Sequence, residues 1–214
     1  MSKRITALSP QLKNKERVNV YLDDKFAFGL AAIVAARLKV GQTLGDDELA
    51  RLRALDEAEE AYNKTLNYLS YRPRSRAELD KYLKDKRVSD ETRAQVLQRL
   101  DNLKLVDDEE FARYWVENRE QFAPRGKRAL RAELRQKGIA DPDAQAALAG
   151  MDEENSAFAA GRKRAARMSS LDRETFFRRL SGFLARRGFG YDVVKPVVTK
   201  LWKEVSSELH RKEG

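Results

Sequence analysis

Cysteine is absent from this 214-residue sequence, and histidine occurs once, as His210 near the end. Without cysteine there is no disulfide, no thiolate metal ligand and no thiol nucleophile. A single histidine four residues from a terminus leaves almost nothing for zinc ligation or for His-based acid–base and triad catalysis; it reads as a solvated tail residue. Proline is scarce, with five residues, and Pro73, Pro124 and Pro142 fall in gaps between helical patterns. Long apolar runs are missing as well. The most apolar stretch, residues 26–40, is interrupted by Arg37 and Lys39 and is shorter than the ~20 residues a membrane-spanning helix needs. The opening MSKRITALSPQ has no apolar leader core and no small-residue cleavage site. No Walker-type glycine loop, G-x-G-x-x-G or H-E-x-x-H motif occurs. The expectation is a soluble, cytoplasmic, monomeric protein that is not an enzyme and needs no cofactor or metal.

Charge is what the chain has in excess. Charged residues make up 36% of it, against about 25% in ordinary globular chains. Lys and Arg number 43 and Asp and Glu 34, a net charge of +9. The hydrophobic fraction, 42%, allows a core but a thin one. The charge is also segregated: Asp46–Glu60 holds seven acids against two arginines, whereas Arg162–Lys195 holds ten bases against three acids. Such separation costs self-repulsion unless an anionic partner uses it, and nucleic acid is the commonest one. The plain alternative is that these bases only solvate helix faces.

The first forty-odd residues carry the strand-like runs, at 5–8, 17–22 and 25–30. Val18, Val20 and Leu22 alternate with Arg17, Asn19 and Tyr21, a period of two. With Asp23-Asp24 as a tight turn, the last two runs read as a β-hairpin. A two-residue loop would set Val20 opposite Ala27. One further loop residue would put Val20 and Leu22 on the face of Phe26 and Phe28, and this register is preferred. Ile33, Val34, Leu38 and Val40 suggest a short helix stopped by Gly41. A long helix then opens at Asp46-Asp47-Glu48, where acids suit the positive end of the dipole.

The remainder repeats. Leu79-x3-Leu83-x3-Arg87-Val88 matches Leu130-x3-Leu134-x3-Gly138-Ile139 and then Leu180-x3-Leu184-x3-Gly188-Phe189, at offsets of 51 and 50 residues. Ser75-Arg-Ala-Glu78 has the form of a capping box, Asp107-Asp-Glu-Glu110 is its acidic analogue, and Asp141-Pro142 reads as an N-cap followed by a first-turn proline. Gly138 and Gly188 suit left-handed helix ends; Arg87 at the matching place does not. The predicted helices are 58–71, 76–86 and 90–103; 108–121, 126–137 and 142–150; 154–168, 173–187 and 192–209. One unit of about 50 residues buries little alone, so neighbouring units are expected to share a core.

Two matching loops carry bases at helix starts: Arg72-Pro73-Arg74-Ser75-Arg76 after Tyr71, and Pro124-Arg125-Gly126-Lys127-Arg128. Proline stiffens each, and the following helix would present free N–H groups to an anion such as phosphate; capping and solvation are the plain alternative. Phe111, Tyr114 and Trp115, and Phe176, Phe177, Phe183 and Phe189, have core spacing. Tyr71, beside the arginine loop, is expected to be more exposed. Carboxylate pairs such as Asp107-Asp108 sit where capping explains them.

Tyr68–Leu79 (YLSYRPRSRAEL) resembles a signature of the RecX regulatory proteins, bacterial modulators of the RecA recombinase. Residues 107–119 (DDEEFARYWVENR), followed by Pro124-Arg125-Gly126, are similar to a second, and 17–23 with 26–30 to the N-terminal segment. The third copy resembles the family mainly in helical layout. Asp24 and Arg87 stand where the family often has glycine. The resemblance implies a mainly α fold: tandem three-helix repeats forming an elongated curved rod, preceded by a small N-terminal β-hairpin and helix. The corresponding parts are 1–45, 46–106 with the long helix and first repeat, 107–152, and 153–214. It further implies a non-enzymatic regulator that occupies the groove of the RecA–DNA filament and damps RecA ATPase, strand exchange and filament extension, in recombination, DNA repair and the SOS response. Multivalent contact by successive repeats would raise affinity. Arg72, Arg74, Arg76, Arg119, Arg125, Lys127, Arg128 and Arg131 would then face RecA or single- or double-stranded DNA through phosphate contacts, with Arg186 and Arg187 in the third copy. Other readings are a stand-alone, sequence-tolerant DNA-binding protein of helix-turn-helix-like units, or a scaffold for an acidic protein.

Overall fold

The computed structural model describes residues 2–213, with side chains as far as Ser207; the His210 side chain lies outside the described residues. The chain order is β1 (Lys3–Pro10), β2 (Arg17–Leu22), β3 (Lys25–Ala31), α1 (Ala32–Ala35), β4 (Thr43–Leu44), α2 (Asp46–Leu69), α3 (Arg76–Asp85), α4 (Asp90–Asn102), α5 (Asp108–Phe122), α6 (Lys127–Gln136), α7 (Asp141–Ala149), α8 (Glu153–Ala166), α9 (Arg173–Arg186) and α10 (Tyr191–Glu213). Two compact units result: Met1–Arg72 with Leu79–Leu105, and Pro73–Glu78 with Val106–Gly214. No helix among the described residues is long and apolar enough to cross a membrane.

In the first unit the hairpin is part of a four-stranded antiparallel sheet of order β3-β2-β1-β4. Its loop has two residues, not the three preferred from sequence: Leu22 faces Lys25 and Tyr21 faces Phe26. Asp23 and Asp24 both have positive φ, 49° and 63°, which is what lets a two-residue turn follow the strand twist. Strand β1 holds that turn, because Asp23 Oδ1 accepts from Arg4 N at 3.1 Å and Thr6 Oγ1 accepts from Asp24 N at 3.0 Å. A register shift next to Tyr21 then sets Val20 opposite Phe28, so a bulge produces the pairing that an extra loop residue had been expected to produce. Ile5, Val20, Leu22, Leu30, Val34, Leu44 and Leu52 form this unit's sheet-side core. Helix α1 stops at Ala35, a single turn; Leu38 is buried and Val40 exposed beyond it, before Gly41 at φ 92°. On α2, Asp56 ties the helix to the sheet by accepting from Arg17 Nη2 at 2.8 Å and Ala31 N at 2.6 Å. Helix α4 packs on α2, where Arg99 lies 3.6 Å over the Tyr62 ring and pairs with Glu59 at 2.7 Å.

The second unit holds two separate cores. One joins Phe111, Val116, Leu130, Leu134, Ile139 and Leu148 from α5–α7; the other joins Phe176, Leu180, Leu184, Val197, Val198 and Leu201 from α9 and α10 with alanines of α8. The second and third repeats therefore each build their own core, against the expectation of a shared one, since nine and twelve buried residues close the two three-helix units by themselves. Repeats meet instead at helix ends. Ser75 Oγ accepts from Glu78 N at 3.1 Å as the N-cap spacing implied, and donates to Lys137 O at 2.6 Å. One repeat later, Gly126 N donates to Arg187 O at 3.0 Å and Arg187 Nη1 donates to Pro124 O at 3.1 Å. Gly138 and Gly188 have φ of 78° and 89° and pack so closely that an added Cβ would lie 2.3 Å from Ala77 Cβ and 2.4 Å from Ala129 Cβ. Arg87 takes the same left-handed conformation, φ 62°, in the first repeat. Helix α7 begins at Asp141, with Ala140 as N-cap. Pro142 thus falls one position later than expected, and Asp141 is turned to Arg131 and Arg135.

Candidate nucleic-acid interface

The predicted anion sites at helix starts are already filled. Arg76 N, the first N–H of α3, donates to Asp108 Oδ1 at 2.8 Å, and Lys127 N, the first of α6, donates to Glu153 Oε1 at 2.9 Å. Both carboxylates come from the first turn of the helix that opens the following repeat. They occupy the positive helix ends that were read from sequence as phosphate cradles. The same loops thus serve as repeat junctions, and any polyanion contact falls to their side chains.

Those side chains divide into two groups on α6. On one face Glu133, with its side chain only 14% exposed, gathers cations: Oε2 accepts from Trp115 Nε1 and Arg119 Nε, each at 2.8 Å, and Oε1 lies 2.9 Å from Arg125 Nη1 as a charge contact. Arg119 also stacks 4.5 Å from the Trp115 ring centre and Lys137 lies 4.7 Å from it. Arg119 and Arg125 are thereby engaged inside the second repeat. Trp115 has cations on its ring and a carboxylate on its indole N–H, which makes it part of the packing between α5 and α6.

On the opposite face Lys127, Arg128, Arg131 and Arg135 run along α6 at steps of one, three and four, so their side chains share one side of the helix. They line an open groove of about 720 Å³ whose other wall is α7, with Gln145, Leu148 and Ala149. Among the described residues, the single carboxylate within ion-pair reach of this group is Asp141, 3.5 Å from Arg131 and 3.8 Å from Arg135. All three are largely exposed, so these pairs are weak and the groove keeps a positive excess. Three candidate residues from the sequence meet here. Arg135 was missed; the signal was its place four residues after Arg131 and eight after Lys127, a stripe obscured by attention to the loop. Gln145, on a different helix, had no such signal.

The other candidates are dispersed. Arg72 and Arg74 are half-buried and Arg76 is exposed. In the third repeat Arg186 is exposed, while Arg187 is half-buried over Phe183 at 4.8 Å, with Arg164 also 4.8 Å from that ring. Burial, and then the nearby Arg125 charge, lower the Arg187 pKa from its ordinary value. Arg173 over Phe177 and Lys200 over Phe158 continue this pattern, so that at least four of the third repeat's cations lie on its own aromatic rings.

Comparison with known proteins places the whole arrangement. Residues 3–45 match a model described as the regulatory protein RecX N-terminal domain, and 61–100, 107–148 and 152–198 match the first, second and third three-helix domains of RecX. The regulatory protein RecX of Bacillus subtilis is 34% identical over 202 residues, covering 92% of this chain and 76% of its own. That of Mycolicibacterium smegmatis is 39% identical over 166 residues, covering 72% and 84%. A crystal structure of regulatory protein RecX superposes with a TM-score of 0.76 at 28% identity, covering 91% of this chain and 98% of that one. RecX from Lactobacillus salivarius superposes with a TM-score of 0.61 at 26% identity, covering 69% and 97%.

Proposed function

The chain belongs to the RecX family of regulatory proteins, and we propose that it restrains the RecA–DNA filament by binding rather than by catalysis. The observation that carries this reading is the α6 groove, where the side chains of Lys127, Arg128, Arg131 and Arg135 outnumber the single carboxylate in ion-pair reach of them among the described residues, Asp141. Four cations on one helical side, at steps of one, three and four residues, match a row of phosphates better than they match a base edge. Phosphate contacts set position without reading sequence, so binding is strongly salt-dependent and nearly indifferent to base order. Arg72, Arg74, Arg76 and Arg186 supplement the groove through their side chains, and repeated contacts along a periodic filament multiply weak affinities. The protein works where the filament forms, in the cytoplasm, and lowers ATPase, strand exchange and filament extension.

The test is RecA ATPase and strand exchange with this protein added in substoichiometric amounts. Inhibition that weakens as salt is raised is expected; unchanged activity at low salt rejects the reading. One observation favours a second reading: α5 and α6 are consecutive helices joined by a short loop, and α6 is the second of the pair, where a two-helix helix-turn-helix motif carries its recognition helix. Footprinting on naked duplex separates the two, because a discrete protected site supports stand-alone DNA recognition and diffuse protection supports filament binding.

A further inference from the structure

Two aromatic rings stand apart from the others in the repeats. Tyr71 is 75% exposed and Phe122 is 70% exposed, while Phe111, Phe176 and Phe189 are buried. Trp115, Phe177 and Phe183 are half-buried with cations over their faces. Among the described residues, neither Tyr71 nor Phe122 has another ring or a cation over its face. The two are 51 residues apart, the same period as Leu79 and Leu130, and each comes two residues before a proline and three before an arginine: Tyr71-Arg72-Pro73-Arg74 and Phe122-Ala123-Pro124-Arg125. Phe122 is the last residue of α5 and Tyr71 lies two residues beyond the end of α2, so each ring stands at the entry to a proline-containing basic loop.

The third repeat lacks this feature for a structural reason. Helix α9 starts about one turn earlier than α6 relative to the shared leucines, and the position equivalent to Phe122 is occupied by Asp172, the N-cap, which accepts from Thr175 N at 2.9 Å. The other large exposed rings differ in their surroundings. Phe26 contacts Tyr21 edge-on at 6.0 Å on the hairpin, and Tyr191, 77% exposed, precedes the acid Asp192.

We propose that Tyr71 and Phe122 are base-stacking side chains, through which the first and second repeats hold unpaired nucleobases of single-stranded DNA. This rests on the polyanion reading of the neighbouring bases. An open aromatic face close in sequence to basic side chains, Arg72 and Arg74 after Tyr71 and Lys127 and Arg128 after Phe122, is the composition of sequence-tolerant single-strand recognition, in which every base offers a π-face and the cations follow the backbone. Paired bases inside a duplex present no free face, so the rings add affinity only for single strands. A fixed proline φ two residues away limits how much freedom each loop loses on binding.

The experiment measures binding of the full chain to three fluorescent probes: oligothymidylate, an abasic phosphodiester of equal length, and duplex DNA. The wild type is expected to prefer oligothymidylate to the abasic strand. Tyr71→Ala and Phe122→Ala are each expected to lose about fivefold or more on oligothymidylate, with abasic and duplex binding unchanged; Tyr71→Phe and Phe122→Tyr restore it. Equal wild-type binding to the abasic and base-bearing strands overturns the stacking while leaving the phosphate contacts standing. Wild-type binding to none of the three overturns the polyanion reading itself. Alanine variants that keep all DNA binding but fail to inhibit RecA identify the rings as protein contacts and overturn the proposal.

Discussion

The Glu153 carboxylate accepts a hydrogen bond from the backbone N–H of Lys127 at 2.9 Å, and so one repeat caps a helix of the repeat before it. Asp108 does the same for Arg76 at 2.8 Å. Both place negative charge at a helix N-terminus, where the macrodipole favours it. Glu153→Gln and Asp108→Asn keep an acceptor oxygen and remove the charge. Each is expected to lower unfolding free energy by about 0.5–1 kcal/mol at low ionic strength, with the difference shrinking as salt is added, measured by urea denaturation.

The glycine at the end of α9 is required twice over. Gly188 has φ 89°, and a Cβ there would lie 2.4 Å from Ala129 Cβ and 2.7 Å from Ala129 N; a Cβ on Gly126 would lie 2.3 Å from the Gly188 carbonyl oxygen. Gly188→Ala and Gly126→Ala are each expected to cost about 2 kcal/mol or more, from left-handed strain in the first and backbone collision in both. A lower urea midpoint for each variant checks this.

Two positions run the other way. Asp24, φ 63°, and Arg87, φ 62°, hold left-handed conformations that glycine adopts at no steric cost. Asp24→Gly and Arg87→Gly are each expected to raise stability by about 1 kcal/mol, seen as an increase in Tm. The Thr6 hydroxyl still receives the residue-24 N–H after the first change.

Substituting Lys127, Arg128, Arg131 and Arg135 together by Ala is expected to weaken DNA and filament binding. The slope of log K against log salt becomes shallower by roughly one for each lost phosphate contact. Arg119→Ala is expected to leave that slope unchanged and to lower stability by about 1 kcal/mol or more, since it removes a partner from half-buried Glu133. Salt titrations of the two variants, each paired with a urea melt, separate a binding stripe from a structural ion cluster.

The Asp172 carboxyl is held below its ordinary value of 3.8, chiefly by the hydrogen bonds from the Thr175 N–H and hydroxyl. A depressed folded pKa stabilises fully above the unfolded pKa and is lost as pH falls through the folded one. Asp172→Asn, which keeps a capping oxygen that cannot titrate, is therefore expected to lose less stability than the parent as pH falls below 4. Thermal melts from pH 5 to pH 2 test this.

Local chemistry made most of the helices legible. Ser75, Asp107, Gly138 and Gly188 mark their helix ends by cap geometry that a few neighbouring residues set, and the leucine spacing alone makes the repeats legible. The hairpin loop was misjudged because the bulge beside Tyr21 and the support from Arg4 and Thr6 are not local to the turn. In the candidate site the sequence revealed that Lys127, Arg128 and Arg131 are basic, but not what each one faces.

Composition and periodicity alone thus determined a cationic, mainly helical repeat chain, because caps, turns and apolar spacing act within a few residues. Which cations stay available was decided by the tertiary fold. Arg119 and Arg125 meet Glu133 only when α5 and α6 pack, Glu153 reaches Lys127 only when the third repeat docks on the second, and Arg135 joins the groove only when α7 supplies its wall. Charge neutralisation depends on distance in space, and residues distant in the chain set it.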